Sequence, residues 1–539
     1  MTSLFLILIS VVILTSIWLN NLSSRIGIPT LLVFMLLGML FANNGLWNVR
    51  FDNYELAKET CTVALIFIMF YGGFGTRWEA AKPVAAESAL LASAGVVATA
   101  ALVGLFCHFA LGWEWLESML LGSVMGSTDA ASVFSILRGK RLGLKNNSAP
   151  MLEVESGSND PAAYMLTVIF LSVMNGSASG GAIAWEIFAQ LVFGIGFGVL
   201  IGKLAVLAFR NINFQTDGFD SLFIFAVAIA AFAIPTLVGG NGYLSAYLVG
   251  IILGNEDFKN KRSLVSFFDG ITGLMQVLIF FLLGLMAMPL EMPKAILPAL
   301  AIFFFMMLIA RPAVVFGILT PFKKYPFRQK ALISFVGLRG ASSIVFAIMA
   351  MVDPARLEND IFNIVFVVVL LSIAFQGSLI PWSAKKLDMI DNGNDVLKTF
   401  NDYSENSDVT FGRVSLNDRS NWTGKTISEL MLPASILIVM IIRDGKRVFP
   451  KGETLLKSGD EVITLTHAFN SGEASLYEKT VKVGSRRVGR PISEHPGKGL
   501  IVMVRRKGEN IIPKGDTILE AGDKLVILNL SGDGFKLRG

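Results

Sequence analysis

Thirteen apolar runs, each long enough to cross a bilayer, follow one another through the first 385 residues. They fall near 3–21, 27–47, 60–75, 84–111, 116–137, 148–174, 184–209, 219–239, 242–256, 264–290, 294–320, 331–351 and 361–384. Hydrocarbon offers a backbone no hydrogen-bond partner, so each such run must close its bonds within itself as a helix. The pattern therefore restricts about residues 1–387 to an α-helical, multi-pass membrane domain in contact with lipid. With 53% hydrophobic and only 16% charged residues, the composition lies outside the soluble globular range. The first run starts at Leu4 without a basic segment before it and is followed by many more, so it reads as a membrane helix and not as a cleaved signal. When alternate loops are assigned to opposite sides, 17 Lys and Arg fall on one side and 4 on the other. Basic loops stay inside, which predicts an inner-membrane protein with the N-terminus outside and the C-terminal region cytoplasmic.

The same residues argue against several function classes. The net charge of +5 has its origin in these loops and gives no reason to expect nucleic acid. Cys61 and Cys107 both lie in apolar runs, and His108, His467 and His495 are scattered, so neither a disulfide framework nor a zinc site is expected. No GxGxxG loop and no nucleophile–base constellation appears, so the chain is expected to be no enzyme and to need no cofactor.

Residues 120–165 hold the chemistry. Asp129 sits in the small-residue run Gly126-Ser127-Thr128-Asp129-Ala130-Ala131-Ser132, and Glu153, Glu155 and Asp160 stand at the head of the next span. A carboxylate at the centre of a membrane helix costs roughly 2.5–3.5 kcal/mol on insertion scales. Several so close together predict a wet, protein-lined cavity. A blander assignment competes with this one. Asp160-Pro161 has the form of a helix N-cap followed by proline at the first helical position, and Glu153 reads more readily as a cap or loop residue than as part of a site. Asp129 has apolar or small residues on both sides and resists that explanation.

A fold of two inverted six-helix halves predicts a second broken helix to cross the first. Residues 331–351 qualify, with Gly337, Gly340, Ser342 and Ser343 around Arg339. They are span twelve, seven after span five, as two six-helix repeats with one linking helix require. An arginine at that depth needs a carboxylate, and Glu155 or Glu153 is the natural partner; the alternative is that Arg339 snorkels to the cytoplasmic edge. Arg311, next to Pro312, is a second buried cation for which the sequence names no partner. Glu256, Asp257, Asp269 and Glu291 stand near helix ends and read as solvated.

Composition changes at residue 388. A polar linker, 388–406, leads to two small α+β units, 407–470 and 478–535, that repeat with a period of roughly 63–65 residues. Residues 424–429 match 489–494, and 450–465 match 513–528. Each unit is too small for a large core of its own, so pairing is expected.

Three ordered motifs carry a resemblance. Ser127-Thr128-Asp129-Ala130, Glu155-Ser156-Gly157-Ser158-Asn159-Asp160-Pro161 and Gly337-Leu338-Arg339-Gly340-Ala341 resemble those of the monovalent cation:proton antiporter-1 family, the NhaP-type exchangers. The tail resembles tandem TrkA-C domains. The resemblance implies an antiporter that exchanges K⁺, with Na⁺ as the alternative, for H⁺ one for one, as a regulated homodimer. It implies Asp160 as the proton- and cation-binding carboxylate, with Asn159 beside it and Asp129 orienting the site. Thr128 and Ser156 are implied as further oxygen ligands, Glu155 and Arg339 as a structural ion pair, and a small nucleotide as effector of the tail. Where related sodium exchangers carry a glutamate in span three, this chain has Tyr71. A ligand-gated cation channel is the rival from another class, and no TVGYG-type filter supports it. Elementary chemistry agrees with exchange. Hard alkali cations prefer carboxylate, hydroxyl and carbonyl oxygen, and one buried aspartate can hold either a proton or a metal ion.

Overall fold

The computed structural model describes residues 10–15, 30–43, 51–391 and 409–530, with gaps at 52, 140–141, 177–178, 213–215, 217, 257, 259–260, 289, 291, 418–419, 431, 433–435, 444–445, 468–473, 482–487, 495–499, 507–508, 512 and 514–515. Two compact units divide the chain, Met1–Tyr403 and Ser404–Gly539.

In the first unit the helices are α1 (Thr30–Phe41), α2 (Tyr54–Gly75), α3 (Trp78–Leu111), α4 (Trp115–Val124), α5 (Ala130–Gly139), α6 (Ser148–Met174) and α7 (Gly180–Asn211). They continue with α8 (Phe219–Leu237), α9 (Gly242–Gly254), α10 (Lys261–Met286), α11 (Met292–Leu319), α12 (Phe327–Phe335), α13 (Ala341–Val352) and α14 (Ile361–Lys386). Among the described residues, seven helices are long and apolar enough to cross a membrane, and α1, α9 and α13 are shorter apolar ones. Among the described residues, each apolar run from residue 27 onward is largely helical, two of them with a break. The run at 3–21 lies mostly outside the described residues, as do Asp257, Glu291 and His495.

Spans five and twelve are broken, as the sequence predicts. The first is α4, an unwound stretch over Met125–Asp129, then α5. The second is α12, an unwound stretch over Val336–Gly340, then α13. Unwound backbone inside a membrane protein must find partners, and each break supplies them to the other. Asp129 N–H donates to Leu338 O at 2.8 Å, and the Arg339 guanidinium donates to Ser127 O. Gly340 makes this crossing sterically feasible, because a Cβ there would collide with the Asp129 side chain. A π-helical turn in α14, Ser372–Gly377, satisfies more of the second break. Ser372 Oγ accepts from Arg339 N–H at 3.0 Å, and Gln376 Nε2 donates to Phe335 O at 2.5 Å.

Two short strands join the end of this unit to the loop between α5 and α6. β1 (Gly143–Leu144), in the loop between α5 and α6, pairs antiparallel with β2 (Ile390–Asp391), in register Gly143 to Asp391. Lys145 N–H donates to Met389 O at 2.9 Å, and its ammonium reaches Asp388 at 3.0 Å. Residues 388–391, expected as linker, thus belong to the membrane unit.

The second unit holds two four-stranded antiparallel sheets of identical topology. The first has order β3-β6-β4-β5, from β3 (Val409–Ser415), β4 (Ile436–Arg443), β5 (Lys446–Val448) and β6 (Glu461–His467). The second has order β7-β10-β8-β9, from β7 (Ala474–Thr480), β8 (Leu500–Arg506), β9 (Glu509–Ile511) and β10 (Lys524–Leu530). β7 begins at Ala474, ahead of residue 478, because it pairs with β10 along its whole length. Among the described residues, the helical element of each repeat is a 3₁₀ turn, Ile427–Glu429 and Ile492–Glu494.

Candidate ion-binding site

Asp160 lies near the middle of the 27-residue α6 and is 4% exposed. Pro161 follows it inside the helix. It removes one N–H from the helical ladder, and its own carbonyl accepts from Asn241 Nδ2 at 2.9 Å. The helix begins twelve residues earlier, at Ser148, so Asp160 is no N-cap. That role falls to Asp129, whose carboxylate accepts from Ser132 N–H at 3.1 Å and from Ser132 Oγ–H, at the start of α5.

Both broken helices deliver a hydroxyl to Asp160. Ser127, from the first break, donates to Oδ1, and Ser342, from the first turn of α13, donates to Oδ2 at 2.7 Å. Ser156 Oγ–H donates to Thr128 O at 2.7 Å, and Asn159 Nδ2 donates to Thr128 Oγ1. The motif residues Ser127, Thr128, Asp129, Ser156, Asn159 and Asp160 are thereby brought together with Ser342. A cavity of about 70 Å³ opens beside them, lined by Asp160, Asp129, Thr128, Ser156 and Ser342. That is room for a few water-sized occupants, a bare alkali cation among them. Its polar lining is oxygen-rich, which suits a hard monovalent cation.

The ion pair differs from expectation. Glu155 pairs with Arg311 at 2.5 Å, both buried, and not with Arg339. Arg311 reaches it from α11 just after a π-helical turn at Met306–Ala310, and its guanidinium lies over Gly337. Arg339 is buried as well, so it does not snorkel; it binds the Ser127 carbonyl and thus holds the first break in place.

Two further acids are placed unlike the sequence reading. Glu153 lines the cavity, where a cap or loop position was expected. Asp269 is exposed, as expected, but well inside α10, where it accepts a hydrogen bond from Tyr71 Oη of α2. The chain thus has a carboxylate next to the span-three position, supplied by a different helix. No spacing signal could have shown that, since the two residues are 198 apart.

Comparison with known proteins agrees with this geometry. The family described as "Sodium/hydrogen exchanger, transmembrane" matches residues 9–386, and the TrkA-C domain matches 412–467 and 476–531. The K(+)/H(+) antiporter NhaP of Alkalimonas amylolytica is 34% identical over 86% of this chain and 81% of its own length. The K(+)/H(+) antiporter NhaP2 of Shewanella sp. MR-4 is 32% identical over 84% of this chain and 79% of its own. The Na(+)/H(+) antiporter NhaS2 of Synechocystis is 27% identical over 56% of each. Among solved structures, the sodium proton antiporter MjNhaP1 of Methanocaldococcus jannaschii shares the fold with a TM-score of 0.61, at 22% identity over 70% of this chain and 97% of its own. With two crossed unwound segments around one buried aspartate, and a family match across nearly all of the membrane unit, the chain belongs to the transmembrane sodium/hydrogen exchanger family and carries two TrkA-C domains.

Proposed function

We propose that the protein is a secondary antiporter that exchanges a monovalent cation for H⁺ at Asp160, one for one, with K⁺ favoured over Na⁺. The observation that carries this is the set of partners of Asp160. They are two neutral hydroxyls from two different broken helices, and among the described residues no cation is paired to the carboxylate. A hydroxyl can donate to a carboxylate or turn its lone pairs toward a metal ion, so Ser127 and Ser342 fit either occupant. Asn159 is neutral and engaged with Thr128, which leaves one carboxylate in the Asn-Asp pair. Proton and cation then compete for a single charge, and the exchange is electroneutral. Rocking of the crossed segments would expose that charge to each side in turn. The names of the more similar relatives support K⁺, and the name of the Synechocystis relative supports Na⁺ as the second reading.

The protein sits in the inner membrane, N-terminus outside, with the TrkA-C units in the cytoplasm, where they regulate exchange. It works as a homodimer, and a small nucleotide is the effector class for the tail. The deciding experiment is proton flux in proteoliposomes, followed with a pH-sensitive dye, with K⁺ and Na⁺ added separately. Proton movement on addition of either cation, larger with K⁺, is the expected result. Membrane current without proton movement would make the protein a channel instead.

A further inference from the structure

The cavity contains a carboxylate that the exchange reading does not use. Glu153 is the sixth residue of α6, 7% exposed, and lines the same cavity as Thr128, Ser156 and Asp160. Residues 153, 156, 157 and 160 follow the i, i+3, i+4, i+7 pattern of one helix face, and all four line the cavity. At 1.5 Å per residue, Glu153 stands about 10 Å along the helix from Asp160, toward the loop that carries β1. That loop is on the side expected to be cytoplasmic. Gly72 of α2 and Gln276 of α10 also line the cavity, so it is bounded by α2, α6 and α10 as well as by the two breaks. A second buried carboxylate on the cavity-lining face that carries Asp160 repels the first.

We propose that Glu153 is a second cation-binding carboxylate of the transport pathway, an access station on the β1-loop side of Asp160 through which the cation reaches and leaves the exchange site. The proposal rests on the exchange reading and extends it. A cavity lined by charge of one sign concentrates counter-ions, and the cation, unlike the proton, has to travel through the cavity with its ligands replaced step by step. Glu153 is two helical turns from the oxygen atoms that exchange the proton, so its effect falls on cation affinity and not on turnover.

The test is the apparent KM for K⁺ and for Na⁺, with Vmax, for the full-length wild type, E153Q and E153D in proteoliposomes. E153Q keeps the shape and removes the charge; its KM is expected to rise about five- to tenfold with Vmax within about twofold. E153D keeps the charge and withdraws it by one methylene, and is expected to raise KM only about two- to threefold by the same focusing. A folded E153Q protein with the wild-type KM overturns the proposal, and so does one that loses Vmax at unchanged KM, since that marks a structural residue. If E153Q does not fold, E153D decides alone, and a wild-type KM there overturns it. The two readings fail separately. A wild-type protein that moves no protons with either cation ends the exchange reading, whereas Glu153 fails alone when both proteins exchange with one KM.

Discussion

Three aspartates of this chain are each less than 5% exposed and hold opposite kinds of partner. In the C-terminal units, Asp460 accepts from Arg443 Nε and Nη2, both at 2.7 Å, and from Lys457 N–H at 2.8 Å. One period later Asp523 accepts from Arg506 at 2.9 and 2.8 Å and from Glu520 N–H at 2.8 Å. Each aspartate side chain is 1% exposed, and in each case the guanidinium hydrogen bond holds the carboxyl below its ordinary range. Asp160 is 4% exposed and has two serine hydroxyls in place of a fork of charge. Solvent exposure does not separate these carboxylates; the charge of the donor does. An arginine favours the ionised form down to a lower pH, whereas a hydroxyl can donate to a carboxylate or turn its lone pairs elsewhere. In the membrane unit the buried Glu155, paired with Arg311, is likewise assigned no transport role.

The contrast can be broken by experiment, and the largest effect belongs to Asp160. Asp160→Asn is expected to lower exchange by more than about 100-fold while leaving the melting temperature of the membrane unit close to wild type, because the amide still fits between two rotatable hydroxyls. Residual exchange of even about a tenth in that variant would return Asp160 to the structural class. Arg311→Met leaves Glu155 buried without its charge partner and is expected to cost about 3–5 kcal/mol of stability, read as a fall in thermal stability in detergent. A stable Arg311→Met protein with abolished exchange would mean that this pair also works in transport. Arg443→Ala exposes the same dependence in the tail at about 1.5–3 kcal/mol, the range for a hydrogen bond to a charged group, with flux through the membrane unit intact. The smallest effect is with pH. Asp460 and Asp523 have folded values depressed below the ordinary 3.8. Their contribution is therefore complete above that value and is lost as the pH falls through the depressed ones. Tail melting is expected to be flat with respect to these pairs from about pH 5 to 8 and to decline below about 4. Arg443→Ala should blunt the acid decline; an unchanged decline would deny the pair its part.

Much of this was legible in the chain. Apolar run length located the helices because hydrocarbon leaves the backbone one solution, and small residues around Asp129 and Arg339 marked both breaks because unwound backbone has to approach other backbone closely. Partner choice was not legible. Arg311 and Arg339 are both deep cations, and which of them meets Glu155 depends on the rotation that a π-helical turn gives to the end of α11. Cap chemistry offered a rival at Asp160-Pro161 because the same dipeptide suits a helix start or a helix interior. The choice was made by where α6 begins, with Asn241 of another helix satisfying the proline carbonyl. Glu153 is likewise invisible locally, since periodicity gives a face but not what the face looks upon. In the tail, the repeat period delivered Arg443/Asp460 and Arg506/Asp523 as equivalents without revealing that they touch.

The strand pair between Gly143–Leu144 and Ile390–Asp391 decides where the leash to the regulatory units is tied. It is not fastened to the free end of α14. It is knotted to the span of chain between α5 and α6, the two helices next to Asp129 and carrying Asp160. Any shift of that span by more than a hydrogen-bond length must either part the two strands or drag the leash with it. A load on the leash passes first to the loop between those two helices, about 18 Å along α6 from Asp160.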